Sequence, residues 1–156
     1  IESMEYLDNV KLYIVGGGDL LDFLMNYTKE LNLQNKVIFL GKVPFSKLHL
    51  ITDNSDLGLS FEEDTCLAYR YALPNKIFDY ISSEIPVLLS DLPEFKKIIQ
   101  KYNVGMILKS RKPKDVAHQI TQILAINKSE FLSELKMAKK DFCWENEEKK
   151  LLSFFN

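Results

Sequence analysis

Cysteine is scarce in this sequence of 156 residues, and the two present, Cys66 and Cys143, lack Cys-x-x-Cys or other metal-like spacing. A disulfide framework and a zinc ribbon are therefore excluded, and a reducing compartment with two ordinary thiols is expected. A surplus of either charge is missing too: twenty Lys and Arg face twenty-two Asp and Glu, a formal charge of -2. Duplex-binding proteins show a marked basic excess, so no nucleic-acid partner is expected. The late lysines, Lys136, Lys139, Lys140, Lys149 and Lys150, read as a solvated helix face. Contact with an anionic membrane surface or a partner is the alternative for them. Histidine is limited to His49 and His118, which lie apart on helical segments and make no case for a catalytic base. No cluster of metal ligands is visible, and no metal is expected.

No apolar run reaches the roughly 18 to 20 residues of a spanning helix. The first nine residues carry Glu2, Glu5 and Asp8 but no basic group, which is not the pattern of a signal peptide. A cytoplasmic location follows as the expectation, with peripheral attachment to the inner face of the membrane as its variant. The initial residue is Ile1 rather than methionine, which predicts a missing upstream portion.

What the sequence does have is alternation. Short apolar runs at Val10–Val15, Val37–Leu40, Leu57–Phe61, Ile85–Ser90 and Val104–Leu108 have strand length and are apolar on both parities. Strands buried on both faces read this way. Between them the period becomes helical: Leu20, Leu24, Tyr27 and Leu31 form one stripe, with Asp19 placed to cap that helix. Further helices are predicted from Pro44 through Ile51, over Asn75–Ser83 and Pro93–Lys101, and after Pro113 with Val116, Ile120 and Leu124. The tail from Lys128 is helical in pattern, with Phe131, Leu132 and Leu135 on its apolar side. Strand–helix alternation of this kind predicts an α/β fold, a Rossmann-like doubly wound parallel sheet in one domain over residues 1–156, closed by a helical tail from 128 to 156. The segment Glu62 to Pro74 has little pattern and reads as a long loop.

Three segments suggest chemistry. Gly16-Gly17-Gly18-Asp19 follows the first strand and opens a helix, where glycine permits a tight turn and free amides favour phosphate. A ligand-free turn explains it nearly as well. The dinucleotide fingerprint would need glycine at position 21, which is Leu21, and no acid ends the second strand, so a nicotinamide or flavin enzyme is not expected. At Gly41-Lys42-Val43-Pro44 a strand ends in glycine. At Pro74-Asn75-Lys76-Ile77-Phe78-Asp79-Tyr80, Asn75 is a natural cap and Asp79 lies one turn inward, near the positive end of the helix dipole. A carboxylate there can accept from ribose hydroxyls, although a helix-stabilising surface acid accounts for it as well.

The order of these segments resembles the donor-binding, C-terminal domain of retaining GT-B glycosyltransferases of the family 4 type. Lys11-Leu12-Tyr13-Ile14-Val15-Gly16-Gly17-Gly18 is similar to that family's "ivGgG" strand, and Val37-Ile38-Phe39-Leu40-Gly41-Lys42-Val43 to its "V-x-F-x-G-x-v" run. Asn54 to Ser60 resembles "aDi-x-l-x-p", Pro74 to Ile81 with Ile85-Pro86-Val87 resembles the "P-x-K-l-x-E-y" donor helix, Val104 to Leu108 the "G-x-lv" strand, and Phe142 to Glu147 the closing "f-s-W-e".

The resemblance implies roles position by position. The ribose-holding acid of the family's E-x7-E element falls on Asp79, and its sugar-facing partner falls on Tyr71, a departure. Val43 matches the residue lining the nucleobase pocket, Gly16, Gly18 and Gly41 the turns around the ligand, and Ala72 to Lys76 the loop whose amides meet the diphosphate. The family's Arg/Lys pair and first strand precede the Gly-rich strand and are not found here, which leaves Arg70 and Lys76 as the nearest cations. The glycine that ends the donor helix is Glu84, so a different turn is expected there. Glu62, Glu63 and Asp64 read as a solvated acidic loop, with replacement of the missing sugar-facing acid as the alternative.

The function implied is transfer of a hexosyl group from a UDP-, GDP- or ADP-sugar to a glycan or lipid-linked acceptor with retention, needing no cofactor. The partner would be an N-terminal acceptor domain, without which this portion is expected to be inactive; the catalytic residues themselves are not identifiable. A GT-B-fold sugar-nucleotide epimerase, a non-catalytic nucleotide-sugar-binding or pairing module, and a plain Rossmann-like binding domain are the alternatives. A role in polysaccharide biosynthesis rests on the "P-x-K" variant.

Overall fold

The computed structural model describes residues 1–155. Five parallel strands alternate with helices: β1 (Leu12–Val15), α1 (Leu21–Glu30), β2 (Val37–Gly41), α2 (Phe45–Asp53), β3 (Gly58–Ser60), α3 (Leu67–Arg70), α4 (Asn75–Ser82), β4 (Val87–Leu89), α5 (Pro93–Tyr102), β5 (Gly105–Ile107), α6 (Pro113–Ala125), α7 (Ser129–Asp141) and α8 (Trp144–Ser153). A single 3-10 turn, η1 (Glu2–Tyr6), leads in and packs on α6. This is the Rossmann-like α/β fold that the alternation predicts. All pairings are parallel, as crossover helices require.

The sheet comes in two pieces. β1 pairs with β2, and β3, β4 and β5 pair in that order. Among the described residues β1, β2, β3 and β5 thus each keep one edge with no partner strand. At β3 the exposed-edge carbonyl of Leu59 accepts instead from the Tyr80 hydroxyl of α4, at 3.3 Å. Tyr80 reaches it because residue 58 is glycine: a Cβ there would stand 2.4 Å from the Tyr80 ring. Burial pushes the Tyr80 phenol up, which keeps it a proton donor.

Two apolar clusters follow from this division. Around β4, the fully buried Val87 and Leu89 pack with Ile77 and Ile81 of α4, Phe95 of α5 and Leu135 of α7. On the opposite face, Leu88 joins Met4, Leu33, Val37, Val116 and Ile120 and so ties the two sheets together. Gly105 is required for this packing, because a Cβ on it would lie 1.9 Å from the Val87 carbonyl oxygen.

Helix ends depart from the sequence expectation at several points. Asp19 does not cap α1; Leu20 holds that position, with no side-chain cap bond, and Leu20 is 66% exposed rather than part of a buried stripe. The buried residue of α1 is Thr28, whose hydroxyl donates to the Leu24 carbonyl. Asn75 is likewise the first residue of α4, not its cap, which is Pro74. The segment after β3 contains α3, and the helical tail consists of two helices, α7 and α8, joined at Phe142 and Cys143. Phe131 and Leu135 are buried as expected, together with Ala138.

Glu84 gives the clearest correction. The turn after α4 does not differ from a glycine turn: Glu84 itself adopts φ 55. The amide of Glu84 donates to the Ile81 carbonyl and that of Ile85 to the Tyr80 carbonyl, the pair of bonds of a Schellman motif. A side chain in that left-handed conformation costs about 1 kcal/mol. The carboxylate offsets part of it through Lys139 of α7, 3.0 Å away.

Candidate functional site

In a parallel sheet wrapped by helices, each helix begins at the carboxyl ends of the strands, and ligands sit at that edge. The loops there fall into two groups of residues. The first is built on β1 and β2. Gly16 has φ 132 and Gly41 φ 65, conformations that L side chains rarely adopt, so glycine is required at both; Gly18 has no such requirement. The amide of Gly16 donates to the carbonyl of Gly41 at 2.8 Å, fastening the two turns together. The Lys42 side chain lies across Gly17, whose Cβ would meet it at 3.4 Å. Val43, half-buried, follows directly and leads into α2.

The second group surrounds the start of α4. No side chain caps that helix, and the amides of Asn75 and Lys76 have no acceptor among the described residues. They are open donors at the positive end of a dipole. Asp79, one turn in, is half-buried, and its carboxylate makes no hydrogen bond or ion pair among the described residues. Lys76 is held by Glu62, at 2.6 Å. Glu62 is no solvated loop acid: its side chain is 14% exposed and also accepts from the Ser60 hydroxyl at 2.6 Å. Burial alone would raise its carboxyl, but the bonds from Lys76, Ser60 and its own amide outweigh that and hold it below the usual carboxylate range.

The remaining predicted residues are exposed and precede α4 in the chain. Arg70 pairs with Asp64 at 2.9 Å, and Tyr71, directly after α3, is 57% exposed. No hydrogen bond or ion pair among the described residues joins the glycine-turn group to the α4 group. The structure therefore brings Gly16 and Gly41 together and places Lys76 with Glu62, while Arg70 is paired with Asp64.

Sequence reasoning missed Arg111. Its guanidinium donates to the carbonyls of Phe61 and Glu62 and, at 3.0 Å, to the Ser90 hydroxyl, and it stands 3.8 Å from the Glu63 carboxylate. One side chain thus stitches the ends of β3 and β4 to the loop after β5. In sequence, Lys109 to Lys112 is an unremarkable polar run, and only the fold brings position 111 to position 62. Two cavities flank Arg111. One, of about 310 Å³, is lined by Phe23 and Tyr27 of α1, Ile1 and Glu2, and Phe61; the other, of about 240 Å³, includes Asp64, Ser90 and Asp91. Neither is lined by Asp79. Among the described residues no three His, Cys, Asp or Glu side chains converge as metal ligands would, and no helix is long and apolar enough to cross a membrane.

Known proteins share this architecture. No curated protein matches the sequence. Among solved structures, WaaG, a glycosyltransferase involved in lipopolysaccharide biosynthesis, superposes with a TM-score of 0.66 at 17% identity, over 90% of this chain and 37% of its own. Sucrose-phosphate synthase from Thermosynechococcus elongatus gives 0.77 at 16% identity, over 98% of this chain and 39% of its own. TarM gives 0.72 at 18% identity, over 99% and 30%. The chain thus spans less than two fifths of each of these structures, and the likeness is one of fold. The sequence also matches the family described as "Glycosyl transferases group 1" over residues 1–140. That match, over most of the sequence, makes this chain a member of the group 1 glycosyltransferases.

Proposed function

We propose that this chain is the donor-binding half of a GT-B glycosyltransferase that moves a hexosyl group from a nucleotide diphosphate sugar to a glycan or lipid-linked acceptor with retention. The observation that carries the reading is the start of α4: two open amides, Lys76 in the first turn, and the unengaged Asp79 carboxylate. A diphosphate at that terminus gains hydrogen bonds and dipole stabilisation, and a ribose beside it can donate to Asp79. In the reaction, the same donors stabilise the charge that develops on the departing nucleoside diphosphate.

Gly16, Gly18 and Gly41 add no side chain of their own to the turns after β1 and β2, and Val43 lines the base pocket through its backbone. Arg70 supplies a second cation once a donor draws it from Asp64. The open edges of β1 and β3 suit a parallel strand from an upstream segment inserted between them. That arrangement gives the order β2-β1-strand-β3-β4-β5, the doubly wound order in which the first strand is central. An N-terminal half would hold the acceptor and complete the catalytic machinery. Lipopolysaccharide and related surface glycans are the acceptor class suggested by the WaaG likeness. Isothermal titration of the full-length protein with UDP, GDP and ADP tests the reading: one of the three binds with measurable heat, and silence from all three in a folded sample refutes it.

A further inference from the structure

We propose that Glu62 contacts the donor sugar and sets the preference for an intact sugar nucleotide over the free nucleoside diphosphate. This rests on the donor-binding reading above. Glu62 lies just beyond the carboxyl end of β3, and its Oε1 is 2.6 Å from Lys76 Nζ in the first turn of α4. A group in direct contact with the cation beside the diphosphate stands within one sugar ring of the bond that joins phosphate to sugar. A hexosyl unit presents hydroxyl donors there, and an ionised carboxylate is a strong acceptor for them.

The residue is built for that role rather than left at a surface. Its side chain is 14% exposed, in a position where an unpartnered charge would be costly. One oxygen accepts from Lys76 and the other from Ser60, so both orientation and ionisation are fixed before any ligand arrives. The two oxygens offer four lone pairs, and with Lys76, Ser60 and the residue's own amide bound the carboxylate retains capacity for one further donor. The backbone is immobilised as well: Arg111 donates to the carbonyls of Phe61 and Glu62 while reaching the Ser90 hydroxyl. An acceptor held from three sides loses little freedom on binding, which favours discrimination between similar ligands.

The competing role for Glu62 is purely structural, as a strut for Lys76. The two differ in what they do to ligands with and without a sugar. Affinities of the full-length protein are measured by titration calorimetry for UDP and UDP-glucose, GDP and GDP-mannose, and ADP and ADP-glucose, in wild type, Glu62→Gln and Ser60→Ala. For the pair that binds, Glu62→Gln is expected to lower the affinity for the sugar nucleotide relative to its free diphosphate by about tenfold, the size of one charge-assisted hydrogen bond. Ser60→Ala, which only loosens the carboxylate, shifts the same ratio by about threefold and serves if Glu62→Gln does not fold. A ratio unchanged in both variants, or equal losses for both members of the pair, overturns the sugar contact while leaving nucleotide binding intact. Failure of wild type to bind any of the six ligands removes the donor-binding reading itself, and this proposal with it.

Discussion

The two pieces of the sheet are built to different standards. In the β3-β4-β5 piece, Val87, Leu88 and Leu89 are all fully buried, with α4, α5 and α7 against one side and η1 and α6 against the other. In the β1-β2 piece, Leu12, Ile14 and Val15 are only half-buried, Tyr13 is 48% exposed and Leu40 38%. The first piece supplies the rigid frame that holds α4. The second carries the glycine turns, and its strands are less covered. Stability is concentrated where the strands are covered on both faces.

One substitution made in both pieces gives the largest contrast. Gly105→Ala forces a Cβ to within 1.9 Å of a backbone carbonyl oxygen, whereas a Cβ on Gly18 meets nothing within 4 Å. Urea denaturation should show Gly105→Ala losing about 4 kcal/mol or more, to the point of not folding, and Gly18→Ala staying within about 0.5 kcal/mol. Comparable losses from the two would dissolve the distinction. Truncating a leucine sharpens it: Leu89→Ala should cost about 2–5 kcal/mol, and Leu40→Ala at the rim of β2 less than about 1 kcal/mol.

Glu62 adds a pH signature to the rigid piece. Its carboxyl lies below its ordinary value in the folded protein, so its contribution to stability is fully present above the unfolded value and disappears as pH falls through the folded one. Relative to wild type, Glu62→Gln should therefore be destabilised by about 1–2 kcal/mol at pH 7, with the gap closing on acidification below the ordinary glutamate value of 4.5. A gap that persists undiminished at pH 3 would assign the loss to packing instead.

The smallest effect concerns the turn after α4. Glu84→Gly relieves the left-handed strain and gives up only a partly exposed ion pair, so it should raise stability by about 0.5 kcal/mol. A loss of more than about 1 kcal/mol would mean that Lys139 anchors α7 more strongly than its exposure suggests.

The fold was legible because periodicity reports burial, and the covered strands of this chain have the continuous apolar runs that burial on both faces demands. Phe131 and Leu135 were placed correctly for the same reason. Helix termini were less legible: Asp19 and Asn75 have the chemistry of caps, but capping also requires the backbone to leave the helix at that residue. Pro74 does so in place of Asn75, whereas Leu20, at the cap position of α1, keeps a right-handed helical backbone. Glu84 shows the converse, since a Schellman geometry tolerates a non-glycine residue where packing of Ile85 and an ion pair to a distant helix support it. At the site, the α4 segment could be read because cation, amides and acid are close in sequence. The Glu62–Lys76 pair and the Arg111 clamp join residues far apart along the chain, and no local pattern announces them.

The central claim is that a nucleoside diphosphate docks on the start of α4. Amide NMR of the isotope-labelled protein, with the nucleoside diphosphate titrated in, tests it most directly. The largest shifts should fall on Asn75 and Lys76, and Asp79→Asn should weaken the response several-fold. Shifts centred instead on the cavities beside Arg111, with Asn75 and Lys76 unmoved, would contradict the account.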